Sequence, residues 1–376
     1  MGENIVVVGH GGSPSAGHSV GKENVYSVQF VKNLNEKYRS NNESDGKFVL
    51  QNFGAGAKNT FFNAMVTPAI VPLNTSIILW EFGINDDFYA YSTGRTKNES
   101  IQAIELWIHN VLQICPNVIF GFAFLWGHSP PSDRFFRERL EPVLAHYSSH
   151  GLPLFFLNFG GLYNVTNFDK KLMLADAFHP TKEAHKMLGD RFFQSFQKFE
   201  QTSSNSQLTK KKIIPMISPN ENSHSLYDFI MNSHGHQAIM MDLPTLTNIE
   251  NFDLHQKLKT KFNPLYNDKK RELKIPICAH GSKTFTFDYN EETKCVLIGV
   301  DFQNLRHNMT SYGTKLTEEE YALSIYTKAY WGYRWKGEWY VFNKTKEKKK
   351  IEITFCGISE NNGLTSLVLF ERKRCT

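Results

Sequence analysis

The sequence predicts two domains. Residues 1–200 read as an α/β domain, a parallel sheet with helices on both faces; residues 280–376 read as a β-sandwich-like accessory domain. Residues 201–279 form a linker and connecting segment. Three observations support this. Up to about residue 200, short apolar runs alternate with stretches of helical spacing. Residues 200–212 (EQTSSNSQLTKKK) are polar and aperiodic. From His280 onward, short strand-like runs follow one another without helices.

The elements of the first domain follow in order. Residues 5–8 (IVVV) are a buried-strand run that ends in glycines. Residues 24–39 carry Val28, Val31, Leu34 and Tyr38 at helical spacing. Residues 48–50 and 76–82 are strands, each leading to glycine. Residues 101–112 place Ile101, Ile104, Ile108 and Val111 on one helical face. A strand is expected over 118–125, a helix over 135–147, a strand over 154–157 and a closing helix over 180–196. Pro180 falls in the first turn of that helix, where a missing N–H costs little. In such sheets the site lies at the carboxyl ends of the strands. The second domain reads as strands over 284–289, 295–302, 322–330, 338–342, 351–356 and 364–370. Residues 213–277 show no assignable pattern.

Composition excludes several classes. The 376 residues are 41% hydrophobic and 21% charged, with 30 Phe, so the chain is globular rather than disordered. No apolar run reaches the length of a membrane span. A net charge of +5 is mild for this length and gives no electrostatic footprint for nucleic acid. The five cysteines contain no CxxC pair, hence no zinc signature; four lie in the last hundred residues, enough for one disulfide. The start lacks a signal peptide. The compartment stays open: secretory if a targeting segment stood upstream, cytoplasmic otherwise. Six N-x-S/T sequons are weak evidence for secretion in an Asn-rich chain.

Four strand-end segments carry chemistry. Gly9 to Gly17 (GHGGSPSAG) fails both the dinucleotide and the Walker spacings, and what remains is Ser13 in a tight glycine turn. Residues 52–56 (NFGAG) offer Gly54, which allows close backbone approach. Residues 81–86 (EFGIND) offer Asn85, an amide donor for a developing oxyanion. Residues 176–180 (DAFHP) place Asp176 three residues before His179, an acceptor to orient a base. Each alone is common in turns. Together, in order along one α/β unit, they supply nucleophile, oxyanion donors, base and orienting acid.

On these residues the first domain resembles the SGNH hydrolase (GDSL-like esterase/lipase) superfamily over about residues 4–200. Ser13 matches the family's nucleophile, Gly54 its second-block glycine, Asn85 its asparagine, and Asp176 with His179 its last block. The family's usual Asp before the nucleophile is Gly12 here, which bears on how Ser13 is oriented. The resemblance implies a flavodoxin-like three-layer fold and acyl transfer through a Ser13–His179–Asp176 triad. Its oxyanion hole would be the Ser13 and Gly54 N–H groups and the Asn85 amide. It implies no metal and no cofactor. The expected partner is an acylated small molecule or glycan, with an O-acetylated carbohydrate as the softer part of that expectation. An acyltransferase with the same triad, or a catalytically silent carbohydrate-binding protein, remains as the alternative.

Further residues are weaker candidates. Trp126 and His128 follow a strand and can line the pocket as substrate contacts, or form a packed loop. His234 and His236 lack a third ligand at a telling spacing. His10 and His18 flank the nucleophile turn without a carboxylate at a telling local spacing. In the second domain, Trp331, Trp335 and Trp339 alternate with Tyr330 and Tyr340, and Gly337 suggests a hairpin turn; the aromatics are either core or a platform for a sugar ring.

Overall fold

In the computed structural model the described residues are 3–38, 46–56, 58–92, 97–127, 133–161, 170–203 and 214, together with the backbone of nine later strands. Five parallel strands form the first sheet: β1 (Ile5–Gly11), β2 (Phe48–Asn52), β3 (Thr75–Glu81), β4 (Ile119–Phe124) and β5 (Leu154–Asn158). Their order is β2-β1-β3-β4-β5, the flavodoxin-like winding expected from the sequence. Around them lie α1 (Tyr26–Tyr38), α2 (Thr60–Ile70), α3 (Gly83–Ser92), α4 (Lys97–Ile114), α5 (Glu141–Ser149) and α6 (Lys182–Ser203). A π-helical turn, Phe136–Leu140, leads into α5.

The period of β4 shows why both sheet faces are covered. Phe120 and Phe122 point one way, where Trp107 of α4 packs on them with ring centroids 5.6 and 5.8 Å away. Gly121 between them faces the other way. A Cβ there would sit 2.6 Å from Phe155 and 2.9 Å from Phe192, so the absent side chain makes room for rings. On that second face Phe30 of α1, Phe155 of β5 and Phe192 and Phe196 of α6 form one cluster, with Phe155 and Phe192 centroids 4.8 Å apart. Burying each ring contributes roughly 2–3 kcal/mol. The heavy use of Phe is thus the filling of two helix–sheet interfaces.

Three helices are not read from the sequence, one of them the single turn Lys170–Met173. α2 carries Pro68 in its last turn, which broke the pattern, and α3 begins in the Gly83–Asp86 stretch that by itself reads as a turn.

The chain divides into two compact units, Met1–Ala64 with Val71–Pro219, and Asn220–Thr376 with Met65–Ile70. The second unit has two antiparallel sheets. One orders β10 (Thr314–Lys315), β9 (Leu305–Ser311), β13 (Lys350–Gly357) and β7 (Ser282–Asp288). The other orders β11 (Tyr321–Ser324), β12 (Lys336–Asn343), β8 (Cys295–Gln303), β14 (Gly363–Arg372) and β6 (Gly235–Met240). β6 comes from within the 201–279 segment and pairs with the last strand. β9 (LRHNMTS) lacks the apolar alternation that would have marked it. The turn expected at Gly337 is corrected: Gly337 lies inside β12, paired with Asp301, because the ladder to β8 already starts at Lys336. Trp331 and Trp335 lie outside the described residues. Among the described residues one free cysteine, Cys115, is buried.

Candidate active site

Everything that bears on the site sits beyond the carboxyl ends of the sheet. β1 is buried along nearly its whole length and delivers the chain to Gly12, whose N–H donates to the Glu81 carbonyl at the end of β3 (2.8 Å). The chain then winds tightly: Ala16 N–H donates to Gly12 O, Gly17 N–H to Pro14 O and His18 N–H to Ser13 O, each at 3.0 Å. Gly17 closes the turn at φ 76°, a backbone conformation that favours glycine. Ser13 is thereby fixed at the first bend after β1.

The His179 loop is built separately. Leu174 and Pro180 form an isolated antiparallel bridge, and Ala175 N–H donates to His179 O (2.8 Å). Asp176 Oδ1 accepts the N–H groups of Phe178 (2.9 Å) and His179 (2.8 Å), a turn that orders the carboxylate before it meets the imidazole. Thr181 Oγ1 then accepts the Ala184 N–H and caps α6.

The two loops meet. His179 Nε2 lies 2.7 Å from Ser13 Oγ, and His179 Nδ1 lies 2.7 Å from Asp176 Oδ2. His179 is buried, while the Asp176 side chain keeps 40% of its surface exposed. Partial burial pushes the Asp176 carboxyl up, but the hydrogen bonds from Phe178 and His179 outweigh it and hold the group below the usual carboxylate range. An ionised Asp176 favours the tautomer with the proton on Nδ1, which leaves Nε2 free to accept from Ser13.

Asn85, in the first turn of α3, donates from Nδ2 to the Lys58 carbonyl (2.5 Å). An amide nitrogen has two N–H groups, so this bond fixes the carboxamide and leaves a second donor. The same amide explains Gly12: a Cβ there would lie 3.1 Å from Asn85 Nδ2. A side chain at Gly12 would thus press on the Asn85 amide, and with glycine there Ser13 still reaches His179.

Gly54 requires a correction. Its N–H donates to Asn52 Oδ1 (2.9 Å), and Asn52 Nδ2 in turn donates to Ser15 O (2.7 Å). The N–H expected in the oxyanion hole is therefore committed to a local turn. Gly54 is a glycine for close approach: a Cβ would stand 2.5 Å from the backbone of Ser15 and Ala16.

Trp126 also differs from expectation. It is wholly buried, and its indole N–H donates to Phe178 O (3.0 Å), so it braces the His179 loop from behind and offers no surface to a substrate. His128 lies outside the described residues, as do His234 and, for its side chain, His236. His10 is fully buried, accepts the Trp107 indole N–H and is driven down to about 3 by desolvation, so it stays neutral and serves the core.

One residue, Glu81, escapes sequence reasoning, and another, His18, is set aside by it for want of a local carboxylate. Glu81 is completely buried behind the nucleophile turn, where its Oε2 accepts from Ser15 N (3.3 Å) and Ser15 Oγ (3.0 Å). Burial pushes it up to about 8 against those hydrogen bonds, with nearby Asp86 adding to the rise. His18 stacks on His179 with ring centroids 4.0 Å apart, and its Nε2 is 4.0 Å from Asp176 Oδ2. Its carboxylate neighbour is 158 positions away in sequence, which local spacing cannot show.

The family model described as GDSL-like Lipase/Acylhydrolase matches residues 18–192, a span that includes Gly54, Asn85, Asp176 and His179 and starts just after Ser13. No curated protein matches the chain. Among solved structures, a two-domain esterase (CEX) active on acetylated mannans superposes with a TM-score of 0.55 at 12% identity, covering 99% of this chain and 92% of that one. The same esterase crystallised with mannopentaose gives 0.55 at 12%, covering 100% and 93%. At that identity the likeness is one of fold, and it extends over both domains. Residues 18–192, the greater part of the first domain, thus match the GDSL-like Lipase/Acylhydrolase family model, whose description is that of a carboxylic ester hydrolase.

Proposed function

We propose that the protein is a serine esterase that removes O-acetyl groups from a carbohydrate, with Ser13 as nucleophile, His179 as general base and Asp176 as its orienting acid. The observation that carries this is the unbroken hydrogen-bond line Asp176–His179–Ser13, 2.7 Å at both links. Ser13 Oγ adds to the ester carbonyl as its proton passes to His179 Nε2. The carbonyl oxygen becomes an oxyanion, received by the Ser13 N–H and the second Asn85 N–H. The C–O bond to the sugar breaks, His179 returns the proton to the departing alkoxide, and an acetyl-Ser13 ester remains. Water, deprotonated by His179, attacks that ester, the acyl bond to Ser13 Oγ breaks, His179 returns the proton to Oγ, and the acetic acid released ionises to acetate. Removing one oxyanion donor, as in Asn85→Ala, lowers kcat by about 10²–10³-fold.

The carbohydrate part is supported by the fold shared with an esterase active on acetylated mannans. It is tested by acetate release from acetylated mannan and from a small aryl acetate, in wild type and Ser13→Ala, together with labelling by a fluorophosphonate probe. Expected are release from both substrates by the wild type, a loss of about 10⁴-fold or more in Ser13→Ala, and labelling only where Ser13 is present. Aryl acetate turnover with no release from acetylated glycans sinks the carbohydrate reading. Undiminished turnover or labelling of Ser13→Ala sinks the nucleophile assignment. Acetyl transfer to an added sugar in preference to water identifies a transferase instead.

A further inference from the structure

We propose that His18, Asp176 and His179 form an inhibitory site for a divalent d-block cation such as Zn²⁺, so that metal capture switches the triad off. One ligand atom from each of the three residues lies within 4.8 Å of the other two. Imidazole nitrogen and carboxylate oxygen are the donors that Zn²⁺ takes at about 2.0–2.2 Å in tetrahedral sites. Ligands so held stand roughly 3.3 Å apart, a distance that follows from those bond lengths. The pair His179 Nδ1–Asp176 Oδ2 at 2.7 Å has to open slightly, and His18 Nε2–Asp176 Oδ2 at 4.0 Å has to close. His18 has room for that. Its side chain is 56% exposed, and it stands in a sharp bend between Gly17 at φ 76° and Ser19 at φ 69°. Its present stacking on His179, with planes 36° apart, turns into coordination by rotating the His18 ring toward the carboxylate.

The chemistry of the switch is a change of tautomer. The cation takes the lone pair of His179 Nδ1, and the single imidazole proton moves by way of solvent from Nδ1 to Nε2, with no net loss of a proton. Nε2 is the atom that faces Ser13 Oγ. That nitrogen now donates to the hydroxyl and cannot accept from it, so the nucleophile is not activated. Hard cations such as Mg²⁺, which prefer all-oxygen shells, do not take this site.

The inhibitory consequence rests on the esterase reading above; the site itself does not. Ser13→Ala keeps all three ligands and removes turnover, so Zn²⁺ can be titrated into it against a chromophoric chelator. Expected is one equivalent whose affinity falls at least about tenfold when His18→Ala is added, and likewise with Asp176→Asn. With Co²⁺ the same equivalent gives visible absorption bands that His18→Ala removes. In the wild type, Zn²⁺ stops aryl acetate hydrolysis and EDTA restores it, and this inhibition is weakened in parallel by His18→Ala. A Zn²⁺ stoichiometry and affinity unchanged by His18→Ala overturns the site. Binding that depends on His18 but leaves hydrolysis untouched overturns the switch. Absence of any esterase activity overturns the esterase reading and leaves the titration to decide the site.

Discussion

The two loops that meet at the site are held in opposite ways. The nucleophile turn is anchored from inside: Gly12 on the Glu81 carbonyl, Ser15 on the buried Glu81 carboxyl, and Asn52 on the Ser15 carbonyl. The His179 loop is anchored by its own backbone and by Trp126, while its acid faces water. The difference follows from what each must do. A serine hydroxyl is weakly nucleophilic and works only when it is held at near-attack geometry, which dense buried contacts provide. Asp176 must stay ionised, and solvent together with two N–H donors keeps it so, whereas full burial drives a carboxyl the other way, as Glu81 demonstrates.

The largest effect that separates the two loops is expected on the exposed side. Asp176→Asn preserves size and can keep Oδ1 on the N–H groups of Phe178 and His179. It then presents an amide nitrogen to His179 Nδ1, which forces the proton onto Nε2. Hydrolysis of an aryl acetate should fall by roughly 10³–10⁴-fold with little change in melting temperature. Activity within tenfold of wild type would mean that solvent, rather than Asp176, sets the tautomer. Because the Asp176 carboxyl is held low, it remains charged well below neutrality, and the acid limb of the wild-type profile belongs to His179, which must be neutral to accept the Ser13 proton.

A smaller effect is expected on the buried side. Gly54→Ala pushes a methyl into the backbone of Ser15 and Ala16, and the nucleophile turn must move by a fraction of an ångström. A loss of about 10- to 100-fold in kcat with KM nearly constant is expected. Should KM rise while kcat stays level, Gly54 borders substrate rather than bracing the turn.

The smallest effect is one of stability. Glu81 titrates near 8 in the fold and near 4.3 in the unfolded chain. Between those values the native state keeps a proton that the unfolded state has released, so stability falls as pH rises through the window. Buried His10 and His185, driven down to about 3 and about 4, act the opposite way below about 6.5 and are common to wild type and variant. Glu81→Gln removes only the first effect. Its melting temperature should therefore gain on the wild type between pH 5.5 and pH 8; a constant difference across that range would show that Glu81 is ionised in the fold.

How much of this was legible follows from chain separation. Ser13 and Asn85 were readable because each follows an apolar strand, β1 and β3, that ends at the same sheet edge, and parallel winding brings such ends together. The Asp176–His179 pair is local, three residues apart, so its geometry was implicit in the spelling. The helix expected over residues 24–39, found as Tyr26–Tyr38, came from periodicity, which reflects local burial, whereas the flavodoxin-like winding came from the family resemblance. Gly12 looked like a defect in the nucleophile motif until the Asn85 amide was found against it, 73 positions away. Gly54 seemed an oxyanion donor because the sequence cannot show that Asn52 turns back on its N–H while bridging to Ser15. Glu81 read as one polar letter at a strand end, and only the packed sheet removes its water and sets it behind Ser15. His18 had no partner within reach of local spacing until the His179 loop folded onto it. The sequence by itself determined which elements form and which chemical groups stand at their ends, because propensity and periodicity act over a few residues. Tertiary structure alone decided which of those groups are desolvated and which donors are already engaged, because both depend on atoms brought together from distant parts of the chain.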